Sequence, residues 1–402
     1  MGDNRAIKVA RRRVFYIPGY DPIHPRRYRE LYRKEGTAQA AISGYHLALK
    51  PKQTGGAYGW HVEAEIEGAN VAADVDVMVW SDIVRGSMEQ GILATYGQLL
   101  RTAWAYIGSG ALWRLMRLRK GPMIAALYPI GALILQLLVA LGLAWALATL
   151  MALWLPWWFG ALAGAALVPF VLSWFKARDG KLFAYYLMHD YAYSAQSGGA
   201  NPPALEARMA EFRAAIEAAL HDDVDEVLVV GHSSGAHLAV SILADLIREG
   251  GVQGTPALAF LSLGQVVPMV SFLPKAARLR GDLRYLSARD ELTWVDVTAP
   301  GDGCAFALCD PVAVSGVAPE GKRWPLVFSA AFTQTLSPER WKELRWKFFR
   351  LHFQYLCAFD RPGDYDYFRI TAGPQTLAAR YAERTPSKSR IEHAFSRYTS
   401  VT

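Results

Sequence analysis

The sequence predicts an α/β fold: a mostly parallel sheet with helices on both faces, interrupted by an inserted pair of apolar helices. Three observations carry this reading. Short apolar runs of strand length recur along the chain, amphipathic segments with helical spacing alternate with them, and residues 121–175 contain no charged side chain. Strands alternating with helices favour parallel pairing, because a parallel connection needs a crossover long enough to hold a helix.

Residues 13–17 (RVFYI) read as a short buried strand closed by Pro18-Gly19. A helix is expected from Pro25 to about Ala48. Residues 60–66, with alternating polarity, and residues 73–80 (ADVDVMVW) give a second strand pair. Beyond the apolar stretch, Pro202-Pro203 open an amphipathic helix on which Leu205, Met209, Phe212, Ile216 and Leu220 recur at helical spacing. Residues 224–230 (VDEVLVV) form a buried strand and residues 236–248 are helical again. Residues 257–263 (ALAFLSL), 293–298 (TWVDVT) and 325–330 (PLVFSA) supply three further strands. No internal repeat is visible. The segment after Pro374 is polar and is expected to be loosely held.

With 402 residues the chain is long enough for one large domain or two ordinary ones. It is 52% hydrophobic, apolar for a protein that lives wholly in water, and carries a formal net charge of +7. That charge suits an anionic membrane surface or nucleic acid, and its placement favours the membrane. Arg114, Arg117, Arg119 and Lys120 precede the chargeless stretch, and Lys176, Arg178 and Lys181 follow it. The stretch is long enough for two bilayer crossings of about 20 residues each, placed near 122–147 and 153–174. Trp154, Trp157 and Trp158 fall at the turn between them, suiting an interfacial aromatic belt. Positive residues on both outer flanks put both ends, and with them the rest of the chain, on the cytoplasmic side. The competing reading is a pair of buried helices in a soluble core, which rarely run this long without a polar face.

Residues 91–120 look like an amphipathic helix lying on the membrane, with Ile92, Leu93, Tyr96, Leu99, Leu100, Trp104, Leu112 and Trp113 dipping inward; packing of that stripe on protein is the alternative. The chain thus divides into a first part of the sheet domain (1–90), a membrane-proximal helix (91–120), the transmembrane hairpin (121–175), a second part of the sheet domain (176–372) and a polar tail (373–402).

Three cysteines, Cys304, Cys309 and Cys357, form no CxxC pair and fit a reducing compartment better than a disulfide framework. The chain starts Met-Gly, but Ala6 stands where myristoylation prefers Ser or Thr, and no apolar signal segment follows. Neither HExxH, a P-loop nor a dinucleotide-binding G-x-G-x-x-G occurs, so no metal or cofactor is implied. The arginines at 11–13 are read as solvated or lipid-facing charge, so no nucleic-acid partner is expected.

The chemistry centres on Gly231-His232-Ser233-Ser234-Gly235, a G-x-S-x-G. It directly follows the apolar run VLVV and opens the helix AHLAVSILADLI, the strand–turn–helix setting of a nucleophile elbow. Gly231 and Gly235 leave the backbone free to turn sharply, and the helix N-terminus favours developing negative charge. The bland alternative is a tight turn with a capping serine. Through this motif the chain resembles the α/β-hydrolase superfamily, over residues 12–80 and 200–372. The resemblance implies a catalytic triad in the chain order Ser, acid, His, with the acid just past a strand. Asp302, in a Gly-flanked loop after TWVDVT, is the preferred acid; Asp296, within the strand, and Asp310, in a Cys-Asp-Pro turn, are alternatives. Of the two histidines after Asp302, His352 is the preferred base, and His393 lies in the tail. His232 and His237 sit in and beside the elbow and are poor bases. The oxyanion hole implied by the resemblance combines the backbone N–H of Ser234 with that of Tyr20, in the loop after the first strand, where Pro18 replaces the usual His.

Taken together, these readings imply a membrane-anchored serine hydrolase acting on lipid-like acyl esters without a cofactor. An acyltransferase with the same triad, or a catalytically silent hydrolase-like membrane scaffold, are the rival expectations. Oligomeric state is not encoded in any of these features.

Overall fold

Strand β1 (Arg11–Ile17) sits in the middle of a single sheet, with β4 (Ala69–Val77) on one side and β5 (Glu226–His232) on the other, both parallel to it. Strands β2 (His46–Pro51) and β3 (Gly59–Ile66) extend the sheet past β4 in antiparallel fashion. On the far side β6 (Ala257–Leu263), β7 (Leu292–Thr298) and β8 (Leu326–Ser329) continue in parallel from β5. The full order is β2-β3-β4-β1-β5-β6-β7-β8. The architecture is therefore α/β, with a mostly parallel eight-stranded sheet and a two-strand antiparallel edge. The computed structural model describes residues 8–52, 55–88, 91–252 and 256–402; the N-terminal Met-Gly and Ala6 lie outside the described residues.

Alternate side chains of each strand serve opposite faces. Val14 and Tyr16 of β1 join one core with Trp60, Val62, Tyr28, Tyr32 and Phe368. Phe15 and Ile17 join the other with Phe212, Ile216, Leu243 and Leu283. Strand β5 is buried along its whole length, the continuous apolar pattern of a parallel strand covered on both faces. The helix Pro203–Ala219 has Pro at its first turn, where a missing N–H costs nothing, and all five of its predicted core residues are buried.

Several expectations need correction. The first helix runs Arg26–Ser43 and stops at Gly44, whose left-handed φ of 70° caps it; the segment expected to be its last turn is strand β2. The arginines at 11–13 are not simply solvated. Arg12 is buried, pairing with Glu226 at 2.6 Å and donating to the carbonyls of Gly373 and Gln375, while Arg13 pairs with Asp76 at 2.5 Å. The tail is docked rather than loose: Ile391 exchanges backbone hydrogen bonds with Leu308 and Asp310, Phe395 donates to Val314, and Arg280 donates to the Ser400 carbonyl.

The segment expected as one amphipathic helix is two, Ile92–Gly108 and Ala111–Leu118, broken at Gly110 with φ 72°. Leu99 of the predicted stripe packs inside, whereas Leu93, Leu100, Trp104 and Trp113 are exposed. Helices Lys120–Met151 and Trp157–Lys176 follow, both long and apolar enough to cross a membrane. Only 22% and 17% of their most apolar windows are buried, which is unlike the core helices of a soluble domain. They pack tightly on each other through small residues. A Cβ at Gly160 would fall 2.6 Å from the Ala148 carbonyl oxygen, and one at Gly164 would fall 2.7 Å from that of Ala144.

Candidate active site

Because β1, β5, β7 and β8 run parallel, the loops that leave them gather at one edge of the sheet, the edge where reactive loops of open α/β sheets collect. Gly19 and Tyr20 follow β1, Ser233 follows β5, Asp302 follows β7 and His352 follows β8. Four positions far apart in sequence thus meet at one rim.

Ser233 links β5 to the helix Gly235–Arg248 with φ 56°, a left-handed conformation uncommon for a residue with a Cβ. The surrounding glycines make that turn possible by close approach. A Cβ on Gly235 would lie 2.1 Å from the Ile17 carbonyl oxygen, and one on Gly231 would lie 2.8 Å from Ala236 Cα. Gly19 faces the elbow from β1, and a Cβ there would meet Ser233 Cβ at 2.9 Å.

His352 ends the short helix Phe348–His352 and is buried. Its Nδ1 donates to Asp302 Oδ2 at 2.7 Å, which leaves Nε2 as the ring nitrogen able to accept a proton. Tyr355 donates its hydroxyl to the same Asp302 oxygen at 3.0 Å and accepts the Ala299 N–H at 3.0 Å. The Cys304 N–H donates to Asp302 Oδ1 at 2.9 Å. Burial pushes the Asp302 carboxyl up, but the His352 charge and these hydrogen bonds outweigh it and hold the group below the usual carboxylate range. Ser233, His232 and His352 line one cleft together with Gly19, Tyr20 and Ser234. Ser233 and His352 share the cleft without a hydrogen bond between them; such contacts commonly tighten only around a substrate.

The alternative acids have other work. Asp296 is buried within β7, accepts the Ser262 hydroxyl at 2.5 Å, and is pushed by burial to about 8. Asp310 caps the helix Pro311–Val314 through the Val312 and Ala313 N–H groups and pairs with Lys322 at 2.5 Å. His393 lies in the tail against Phe395. His237 is buried, and burial alone lowers it to about 4.

The Tyr20 N–H is donated to the Ser234 hydroxyl at 3.1 Å. This places the expected donor beside the elbow and gives it an exchangeable partner.

Three residues of the site have places the sequence did not assign: His232, weighed there only as a poor base, and Tyr355 and Asp190, not singled out at all. His232 has Nε2 3.1 Å from the His352 carbonyl oxygen and Nδ1 3.4 Å from the Tyr16 hydroxyl. Burial, reinforced by the His352 charge, lowers it to about 3, so the neutral ring bridges the elbow to the His352 backbone. Tyr355 lies one helical turn after His352, a spacing that was available as a signal. Asp190, on helix Ala184–Ala195, lines the cleft with a carboxyl that burial raises to about 7; nothing local marks it. Asp302, Cys304 and His352 also bring three potential metal donors within 4.8 Å of one another. Burial, reinforced by the Asp302 and Asp190 carboxyls, drives the Cys304 thiol well above its ordinary value.

The apolar hairpin is rooted at this rim. Pro122 lines the cleft, and a Cβ on Gly121 would lie 3.3 Å from the Gly303 carbonyl oxygen, in the Asp302 loop. After the hairpin, the Phe183 ring lies 5.2 Å from that of Phe349, three residues before His352. Comparison with family models, curated proteins and solved structures finds no match to this chain.

Proposed function

We propose that this chain is a membrane-anchored serine hydrolase of the α/β-hydrolase type that cleaves lipid-like acyl esters through an acyl-enzyme on Ser233. The observation that carries the reading is the buried His352–Asp302 pair sharing a cleft with a serine held at φ 56° on a strand-to-helix turn. A serine hydroxyl is a weak nucleophile until an oriented imidazole takes its proton. Asp302 fixes the His352 tautomer with Nδ1 protonated, so Nε2 is the base. Ser233 Oγ attacks the ester carbonyl as its proton passes to His352. The resulting imidazolium is stabilised by Asp302 and returns the proton to the departing alcohol. Water then repeats the sequence on the acyl-enzyme, with His352 again as base. The Tyr20 and Ser234 N–H groups receive the oxyanion, the substrate oxygen replacing the Ser234 hydroxyl at Tyr20.

The membrane part of the reading rests on the two exposed apolar helices, on Trp154 and Trp157 at their turn, and on the basic residues flanking both outer ends. Those flanks put the sheet domain on the cytoplasmic side. The hairpin root beside Asp302 and the cleft then holds the site close to the leaflet.

The test is hydrolysis of a panel of acyl esters by the full chain in detergent beside its Ser233→Ala variant. Turnover is expected from the wild type, with a loss on the order of 10⁵–10⁶ in the variant. Equal turnover by both proteins would remove the assignment.

A further inference from the structure

A second cavity, whose roughly 550 Å³ includes space open to solvent, lies between helices Ile92–Gly108, Lys120–Met151 and Ala184–Ala195, and its wall exposes only apolar atoms. Met123, Ala126 and Met188 form its buried sides. Tyr106 turns its hydroxyl to the Met269 carbonyl at 2.9 Å and so gives the cavity its ring. Two lining residues, Tyr191 and Met269, also line the Ser233 cleft, so the cavity and the cleft lie back to back across these two side chains. Two others, Ile107 and Leu127, are 53% and 38% exposed. They lie on helices that carry the exposed apolar surface, Leu93, Leu100 and Trp104 on one and Leu135 and Leu138 on the other.

We infer that this cavity seats the hydrocarbon chain of the substrate, which enters past Ile107 and Leu127 from the apolar surface and delivers its polar end to Ser233 at Tyr191 and Met269. A cavity without polar groups holds water poorly and gains from any alkyl chain that fills it. Its walls supply flexible methionines, which adapt to chains of differing shape. The cavity's position against the cleft, with Tyr191 and Met269 facing both, favours a chain that serves the reaction over a structural lipid seated elsewhere on the hairpin. The link to ester cleavage rests on the proposed function; the presence of an alkyl chain rests on the cavity alone.

Palmitic acid carrying a diazirine at its tail, photolysed with the full chain in detergent, tests the cavity. Adducts are expected on its lining residues in wild type and in Ser233→Ala, and they should be strongly reduced in Ala126→Phe, which fills the space. Adducts confined to outward residues such as Leu135 and Leu138, or undiminished in Ala126→Phe, overturn the inference. Ester turnover tests its link to the reaction: Ala126→Phe should lower kcat/KM for a laurate ester about tenfold or more while leaving the acetate ester within about twofold. Equal effects on both esters contradict the inference. Adducts blocked by Ala126→Phe in a protein that cleaves no ester of any length would keep the chain site and remove the hydrolase reading instead.

Discussion

At the scale of single residues, the site depends on which carboxyl meets His352. Three aspartates lie within a short span, and only Asp302 touches the imidazole. Asp296 is fully enclosed in β7 and pushed to about 8, so it is already protonated at neutral pH. Asp302→Asn is therefore expected to lower ester kcat by roughly 10³–10⁴, because the amide cannot hold the base-competent tautomer or stabilise the imidazolium. Asp296→Asn, which replaces a neutral acid by a neutral amide, should stay within a few-fold of wild type. Steady-state kinetics on both variants decides, and equal losses would contradict the assignment.

Asp190 gives a pH signature. Its folded-state carboxyl is raised to about 7, chiefly by burial. Between the ordinary carboxylate range and that value, the unfolded chain has lost a proton that the folded chain keeps, so stability falls as pH rises through this window. Asp190→Asn removes the penalty. Its melting temperature should match wild type near pH 4 and exceed it increasingly up to about pH 7, where the gap levels off. A gap that does not change with pH would contradict this.

That Ser233, Asp302 and His352 would gather at one rim was legible because each follows a strand whose apolar pattern is plain. The contacts of His232 and the place of Asp190 were not. Their surroundings come from segments over a hundred residues distant, or from a helix whose place is set only once the hairpin has returned to the sheet domain.

At the scale of elements, periodicity located seven of the eight strands among the described residues and the helices that bury an apolar stripe. Strand β2 was missed because HLALKP carries little burial of its own; it pairs on one side only, with β3, at the sheet edge. The docking of the tail was invisible for a different reason. Its attachments are largely backbone hydrogen bonds, which leave no trace in side-chain pattern. The hairpin's ends were approximate, but its packing has a sequence mark in Gly160 and Gly164, four residues apart and pressed on Ala148 and Ala144. Gly164→Leu must drive the helices apart. It should lower the thermal midpoint in detergent, corresponding to about 1–3 kcal/mol of overpacking. Ala161→Leu, on the exposed side of the same helix, should leave the midpoint unchanged. Loss of stability in both variants alike would show that the helices do not meet as described.

At the scale of the whole molecule, the hairpin and the site are one construction. The chain leaves β4 at the same sheet edge as β1 and β5, runs through the 92–118 helices into the hairpin, and returns beside Phe349. Both roots of the apolar pair therefore touch segments that lead to Asp302 and His352. On this account the anchor presents the cleft to the leaflet as well as tethering the domain, and the reactive serine is the point on which everything turns. Its activation is read most directly by labelling with a fluorophosphonate and mass analysis of the adduct. Wild type should take up one equivalent, located on Ser233. Ser233→Ala should take up none, and His352→Ala should react at least about a hundredfold more slowly, since the hydroxyl loses its base. A wild-type chain that stays unlabelled, or a His352→Ala chain that labels at the wild-type rate, would contradict the account.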